Sequence, residues 1–151
     1  MKASIIDGQK IYLRSLNEED VHVMTNWVNN QNITQYLNLE PPISEEEEHD
    51  WLIAVNQSGT DLVFGIVEKG SNIHIGNVGL HHIDKKTGDA DIGIFIGETD
   101  QEGKGYGTEA LQLAVAYACR ELHLKIIHAP IFASNTRSIA LFEKVGFKKE
   151  K

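Results

Sequence analysis

Residues Glu102-Gly103-Lys104-Gly105-Tyr106-Gly107-Thr108 set three glycines at alternate positions directly ahead of a long amphipathic segment. Glycine lets a backbone turn tightly and approach a ligand closely. The unbonded N–H groups of a helix N-terminus attract an anion. The stretch therefore reads as a pyrophosphate cradle made by the amides of Gly103 to Gly107. Lys104 either adds a charge there or points into solvent. Spacing excludes two common phosphate loops. A P-loop needs Gly-x-x-x-x-Gly-Lys followed by Ser or Thr, and Lys104 lies between glycines with no hydroxyl after it. A dinucleotide fingerprint needs Gly-x-Gly-x-x-Gly early in a βαβ unit. Here the third glycine comes one residue too soon, and the loop sits late in the chain. A plain glycine-rich turn is the remaining alternative.

Other reactive residue types show less organisation. His81 and His82 are neighbours on an expected strand, so they should point to opposite faces and not share an ion. His22, His49, His74, His123 and His128 form no i,i+4 pair with a carboxylate partner, so no metal site is expected. The single cysteine, Cys119, excludes an internal disulfide and fits a reducing cytoplasm. Beside Ala118 on a helical pattern, it is expected to be a buried structural thiol rather than a nucleophile.

The elements that must position these residues follow from periodicity. Ile11–Leu13 reads as the first strand. Asn17 caps a helix to about Asn29, with Val21, Met24 and Val28 on one face. Pro41-Pro42 breaks the chain before a helix from about Glu45 to Asn56 that should bury Trp51, Leu52 and Val55. The acidic run Glu45–Glu48 is a first helical turn with a capping box, Ser44-x-x-Glu47. Strands follow at Leu62–Glu68, Ile73–Ile83 and Ala90–Gly97. The helix from about Gly105 to Leu122 should bury Leu111, Val115, Ala118 and Leu122. Lys125–Phe132 is a further strand. Asn135 caps the last helix, with Gly146 at its C-terminal stop. This β-α-α-β-β-β-α-β-α order predicts an α+β fold with helices on both faces of a sheet.

The 151 residues suit a single domain spanning 1–151. No run approaches the roughly 18–20 apolar residues of a membrane span. The N-terminus lacks the apolar stretch of a secretory leader, so a cytoplasmic protein with no membrane partner is expected. A formal net charge of −8 argues against nucleic-acid binding. It favours a cationic partner, such as a polyamine or lysine-rich tail, or serves solubility alone.

Together, the glycine loop and a helix opening at Asn135-Thr136-Arg137-Ser138 and closing at Val145-Gly146-Phe147 resemble the GNAT superfamily of acetyl-CoA-dependent N-acetyltransferases. That family carries a Gln/Arg-x-x-Gly-x-Gly/Ala loop and an Asn-x-x-Ser/Ala helix. The resemblance covers residues 61–147. In the N-terminal third, Leu13-Arg14-x-Leu16 with Asp20 and Trp27 is similar to the branch containing ribosomal-protein alanine and spermidine acetyltransferases. Two positions depart from the pattern. Glu102 replaces the loop's Gln/Arg and cannot donate to phosphate while ionised. Phe142 stands where many members place a tyrosine that protonates the leaving thiolate.

The resemblance implies a largely antiparallel sheet whose fourth and fifth strands splay around pantetheine. Acetyl-CoA is then the co-substrate, and no metal takes part. Backbone contacts would come from Ile94, Phe95 and Ile96, and phosphate contacts from Gly103, Lys104, Gly105, Tyr106, Gly107 and Thr108. Asn135 would bond the pantetheine arm, cap its helix, or both. Asp91 lies where relatives carry an acid and is the leading general base, with Glu40 and His82 as others. On an alternating strand Asp91 shares a face with Gly93 and Phe95. Ser138 would meet the thiolate in place of Phe142, or bond only local backbone. A primary amine such as a polyamine, or a protein N-terminus, is the implied acceptor, with Trp27 and Tyr36 against its aliphatic stem. A CoA-binding regulator or sensor without turnover is the alternative. The family's last hairpin would have to follow Phe147, yet only Lys148-Lys149-Glu150-Lys151 remain. Without strand 7 the sheet edge would be exposed and open to homodimer pairing.

Overall fold

Apolar residues at period two, such as Ile11 and Leu13 or Phe64 and Ile66, put one hydrocarbon face on each strand and so build a sheet. A computed structural model describes residues 5–34, 42–97 and 104–149, leaving aside the side chain of Asn32. Its strands are β1 (Ile6–Asp7), β2 (Ile11–Ser15), β3 (Leu62–Glu68), β4 (His74–Asp84), β5 (Asp89–Ile96) and β6 (Ile126–His128). They form one six-stranded sheet in sequence order. Every pairing is antiparallel except β5 with β6, which is parallel. The expected α+β, largely antiparallel architecture holds.

The helices are α1 (Val21–Val28), α2 (Gln31–Thr34), α3 (Glu45–Gln57), α4 (Tyr106–Arg120) and α5 (Thr136–Val145). On one face of the sheet, Ala110, Leu111, Ala114 and Ala118 of α4 and Phe142 of α5 pack on Leu13, Phe64, Val78 and Ile92. On the other, Met24 and Trp27 of α1 and Leu52 and Val55 of α3 pack on Leu16 and Val63. Among the described residues no helix is long and apolar enough to cross a membrane.

The caps behave as their residue types require. The Asn17 side chain accepts from Glu19 N–H and opens a 3₁₀ turn over Glu18–Asp20 that leads into α1. Ser44 and Glu47 form the reciprocal capping box of α3. Gly146 ends α5 at φ 113°, a left-handed conformation that suits glycine.

Several expectations are corrected. Trp51 is 37% exposed, while Glu48 joins Leu52 and Val55 in the buried stripe. Spacings of four and three define that stripe, and Trp51 lies to its side. Val115 is only half-buried, and Leu122 lies past the end of α4 and is also half-buried. Cys119 is exposed, because it sits about 100° around α4 from buried Ala118. Strand β6 is three residues long rather than eight. Pro130 follows closely, and proline has no N–H for a ladder. Residues Phe147–Lys149 form no strand.

Candidate active site

The N-terminus of α4 is positioned by long-range contacts. Gly105 precedes the helix at φ 84°, where a side chain would be strained. The Glu109 carboxylate, in the first turn, accepts from the backbone N–H groups of Gln9, Lys10 and Ile11 at 3.0–3.1 Å. It thereby pins the turn between β1 and β2 to the start of α4. Lys10 Nζ donates to the Lys104 carbonyl at 3.2 Å. The Tyr106 hydroxyl donates to Glu68 Oε2 at 2.6 Å. Ser71 and Tyr106 hold the Glu68 carboxyl low, and Glu68 in turn raises the Tyr106 phenol. Thr108 is half-buried in the same turn. Gly107 has a packing reason of its own: a Cβ there would stand 3.2 Å from Leu141 of α5 and 3.9 Å from Ile94. Glu102 and Gly103 lie outside the described residues.

Strand β5 leads from this helix end into the sheet. It pairs with β6 only at Asp89, Ala90 and Asp91. From Ile92 to Ile96 no strand among the described residues covers that edge. The Gly97 N–H donates to Ile75 across β4 at 2.7 Å. Antiparallel pairing alternates hydrogen-bonding directions, so Phe95 turns its amide toward β4 while Ile94 and Ile96 turn theirs to the open edge. Phe95, expected among the backbone contacts to pantetheine, is therefore directed away from it. Its ring meets Trp27 edge-on instead.

Asp91, Gly93 and Phe95 share the α1/α3 face, as alternation requires. Gly93 is exposed, and a Cβ on it would meet nothing within 4 Å. It leaves an open floor between Asp91 and Phe95. The register breaks between His81 and Asp84, and His82 adopts φ 53°. This bulge overrides strict alternation. His81 lies opposite Asp91 on the neighbouring strand, and the His82 ring swings to the same carboxylate, Nδ1 to Oδ2 at 3.0 Å. The expectation that His81 and His82 face opposite ways is thus corrected. Asp61 accepts from the His82 N–H at 3.1 Å and lies 3.7 Å from His81 Nδ1. His128 of β6 approaches Asp89 at 3.4 Å. Among the described residues no three such groups are arranged to hold a metal ion.

At the start of α5, Asn135 Oδ1 accepts from the Ser138 N–H at 3.2 Å, so Asn135 does cap its helix. Ser138 is half-buried one turn in. Phe142 is buried and stacks edge-on with Phe147, which makes it a core residue.

Trp27 does not present a surface to an acceptor. It is 4% exposed, its ring set edge-on against His74 and Phe95, and a Cβ on Gly97 would overlap its indole. Tyr36 and Glu40 lie outside the described residues. Around Trp27 sequence reasoning missed a polar network. Arg14 grips Asp20 with two bonds of 2.8 and 2.9 Å. His74 Nε2 meets Asn77 Oδ1 at 2.8 Å. His74 Nδ1 stands 3.5 Å from Asp20 Oδ1 without hydrogen-bond geometry. Burial pushes the Asp20 carboxyl up, but Arg14, His74 and the Asn17 N–H together hold it well below the usual carboxylate range.

The acetyltransferase (GNAT) domain family matches residues 10–148. N-acetyltransferase p20 of Bacillus licheniformis is 30% identical over 145 residues, covering 94% of this chain and 81% of that protein. Spermidine N(1)-acetyltransferase of Vibrio cholerae is 27% identical over 143 residues, covering 95% and 82%. The crystal structure of spermidine N-acetyltransferase from Vibrio cholerae in complex with CoA and spermine superposes with a TM-score of 0.87 at 26% identity, covering 95% of this chain and 84% of that one. The chain belongs to the GNAT acetyltransferase family and is an acetyl-CoA-dependent acetyltransferase.

Proposed function

We propose that the protein moves the acetyl group of acetyl-CoA to a primary amine by direct attack in a ternary complex. The observation that carries this reading is that, among the described residues, no strand covers β5 from Ile92 to Ile96, where Ile94 lies close to Gly107 of α4. Amides around Gly105 would hold the pyrophosphate with the helix dipole. The edge amides of Ile94 and Ile96 would bond pantetheine, and one of them would polarise the thioester carbonyl. The amine would lie over Gly93 beside Asp91, as base or as partner of the base. Ser138 would hydrogen-bond the leaving thiolate, since Phe142 has no proton to give. Asp61, Asp89 and Asp91 near that floor, with a net charge of −8, favour a cationic acceptor. A small polyamine-like amine fits best, with a protein N-terminus as the other candidate. Two copies pairing along the outer edge of β6 would fit the same arrangement, and a monomer by light scattering would remove that part.

A thermal shift with CoA, acetyl-CoA, ATP and NAD tests the cradle. A ligand at 100 times its Kd adds about 2.7 kcal/mol of stability. CoA and acetyl-CoA alone should stabilise, and thiol release should follow with spermidine or with N-terminal peptides. Gly105→Val, strained at φ 84° and bulky in the cradle, should raise the KM for acetyl-CoA. An unchanged KM would refute the cradle. CoA binding without turnover of any amine would leave a CoA-responsive regulator in its place.

A further inference from the structure

We propose that the acceptor's proton leaves through the imidazole of His82, with Asp91 acting as the group that orients it. This rests on the amine-acetylation reading above. Three observations converge on it. The first is the 3.0 Å contact between His82 Nδ1 and Asp91 Oδ2. A carboxylate only accepts, so the Nδ1 proton points at Asp91 and Nε2 carries the lone pair. The second is exposure. The His82 side chain is 82% exposed and that of Asp91 33%, so the ring is the more accessible of the two from solvent. The third is backbone conformation. His82 stands at φ 53° in a bulge, a left-handed conformation uncommon for a residue other than glycine. Asp61 fixes it by accepting the His82 N–H. This bulged backbone carries the ring over to Asp91, beside the open floor at Gly93.

The groups that bear on His82 are Asp91 from β5, Asp61 at the entry to β3, and His81 opposite Asp91. Asp84, Lys85 and Lys86 follow it in the turn, and the His128–Asp89 pair lies across β5. Carboxylates dominate this neighbourhood, and they stabilise an imidazolium once it forms.

The step balances as follows. His82 Nε2 takes one proton from the bound ammonium group. The neutral nitrogen attacks the thioester carbonyl carbon, and a C–N bond forms. The C–S bond then breaks, and the electron pair leaves on sulfur. The nitrogen gives up its second proton, which ends on the CoA thiolate. The imidazolium returns its proton to solvent. With its Nδ1–H held by Asp91, the ring offers the Nε2 lone pair that a general base needs.

The test measures kcat/KM for spermidine from pH 5.5 to 9.5 at saturating acetyl-CoA, in wild type, His82→Asn and Asp91→Asn. Asparagine tolerates positive φ, so His82→Asn keeps the bulge, and CoA-induced thermal stabilisation confirms that the variant is folded. His82→Asn should lower kcat/KM about 10²–10³-fold near pH 7, leave the KM for acetyl-CoA unchanged, and flatten the acidic limb of the profile. Asp91→Asn should keep that limb at a reduced rate. A wild-type pH profile in His82→Asn, with a rate within twofold, would overturn the proposal while leaving the enzyme reading intact. Wild-type protein that binds CoA yet acetylates neither spermidine nor an N-terminal peptide would overturn both.

Discussion

Under α4 and α5 the sheet buries hydrocarbon: Leu13, Phe64, Val78 and Ile92 against Ala110, Leu111 and Ala114. Under α1 and α3 the same strands set Arg14, His74 and Asn77 against Asp20, and α3 adds Glu48. All the buried charged groups described lie on this second side. The difference separates two tasks. The hydrocarbon side packs α4 on α5, with Gly107 set close to Leu141 of α5 and to Ile94 of β5. The polar side carries the open floor at Gly93 and the His82–Asp91 pair. It keeps its charges in place by pairing, which makes it sensitive to pH.

The contrast is broken most strongly from the hydrocarbon side. Leu111→Ala removes a fully buried side chain and should cost about 3 kcal/mol, with the loss unchanged from pH 4 to 8 in urea titrations. A loss that varied with pH would show that the two sides share their electrostatics. Arg14→Leu should cost about 2 kcal/mol at pH 7, because it strands a buried Asp20 while Arg14 itself keeps some exposure. The sign follows from the depressed Asp20 carboxyl. Its contribution is present above the ordinary carboxylate value near 3.9 and is lost as pH falls through the lower folded value. The deficit of Arg14→Leu should therefore shrink below about pH 4. A deficit that grew on acidification would refute the pairing. Glu48→Gln is the smallest change and runs the other way. Burial raises the Glu48 carboxyl, so the ionised form is penalised above that raised value and the penalty is gone below the ordinary one. Glu48→Gln should stabilise by up to about 1 kcal/mol at pH 7, with no gain below about pH 4.

Local signals were legible in the sequence wherever one short segment decides the outcome. Strand Leu62–Glu68, the capping box of Ser44 and Glu47, and the stop at Gly146 each depend on neighbours within a few residues. The family followed from the glycine loop and the Asn135 helix, and most elements from periodicity, but the short strand β1 and the single-turn helix α2 carried no periodic signal of their own. What escaped depends on partners distant in sequence. Trp27 has the composition of a surface aromatic clamp, but Gly97, Phe95 and His74 close over it. Gly107 reads as part of a phosphate loop, while its space is taken by Leu141. The meeting of His82 with Asp91 needed a bulge that no periodicity announces. Glu109 looked like one more acid in a first helical turn, and nothing local marked it as the receiver of three amides.

That carboxylate also orders events in time. Glu109 and Gln9 are 100 residues apart, yet their bond joins the turn between β1 and β2 to the first turn of α4. Closing so long a loop is entropically late in folding. During synthesis the amides of Gln9, Lys10 and Ile11 must wait for about a hundred further residues to emerge before Glu109 can accept from them. Their protection from hydrogen exchange should be among the last to appear in refolding, and its arrival would time the docking of the β1–β2 turn on α4.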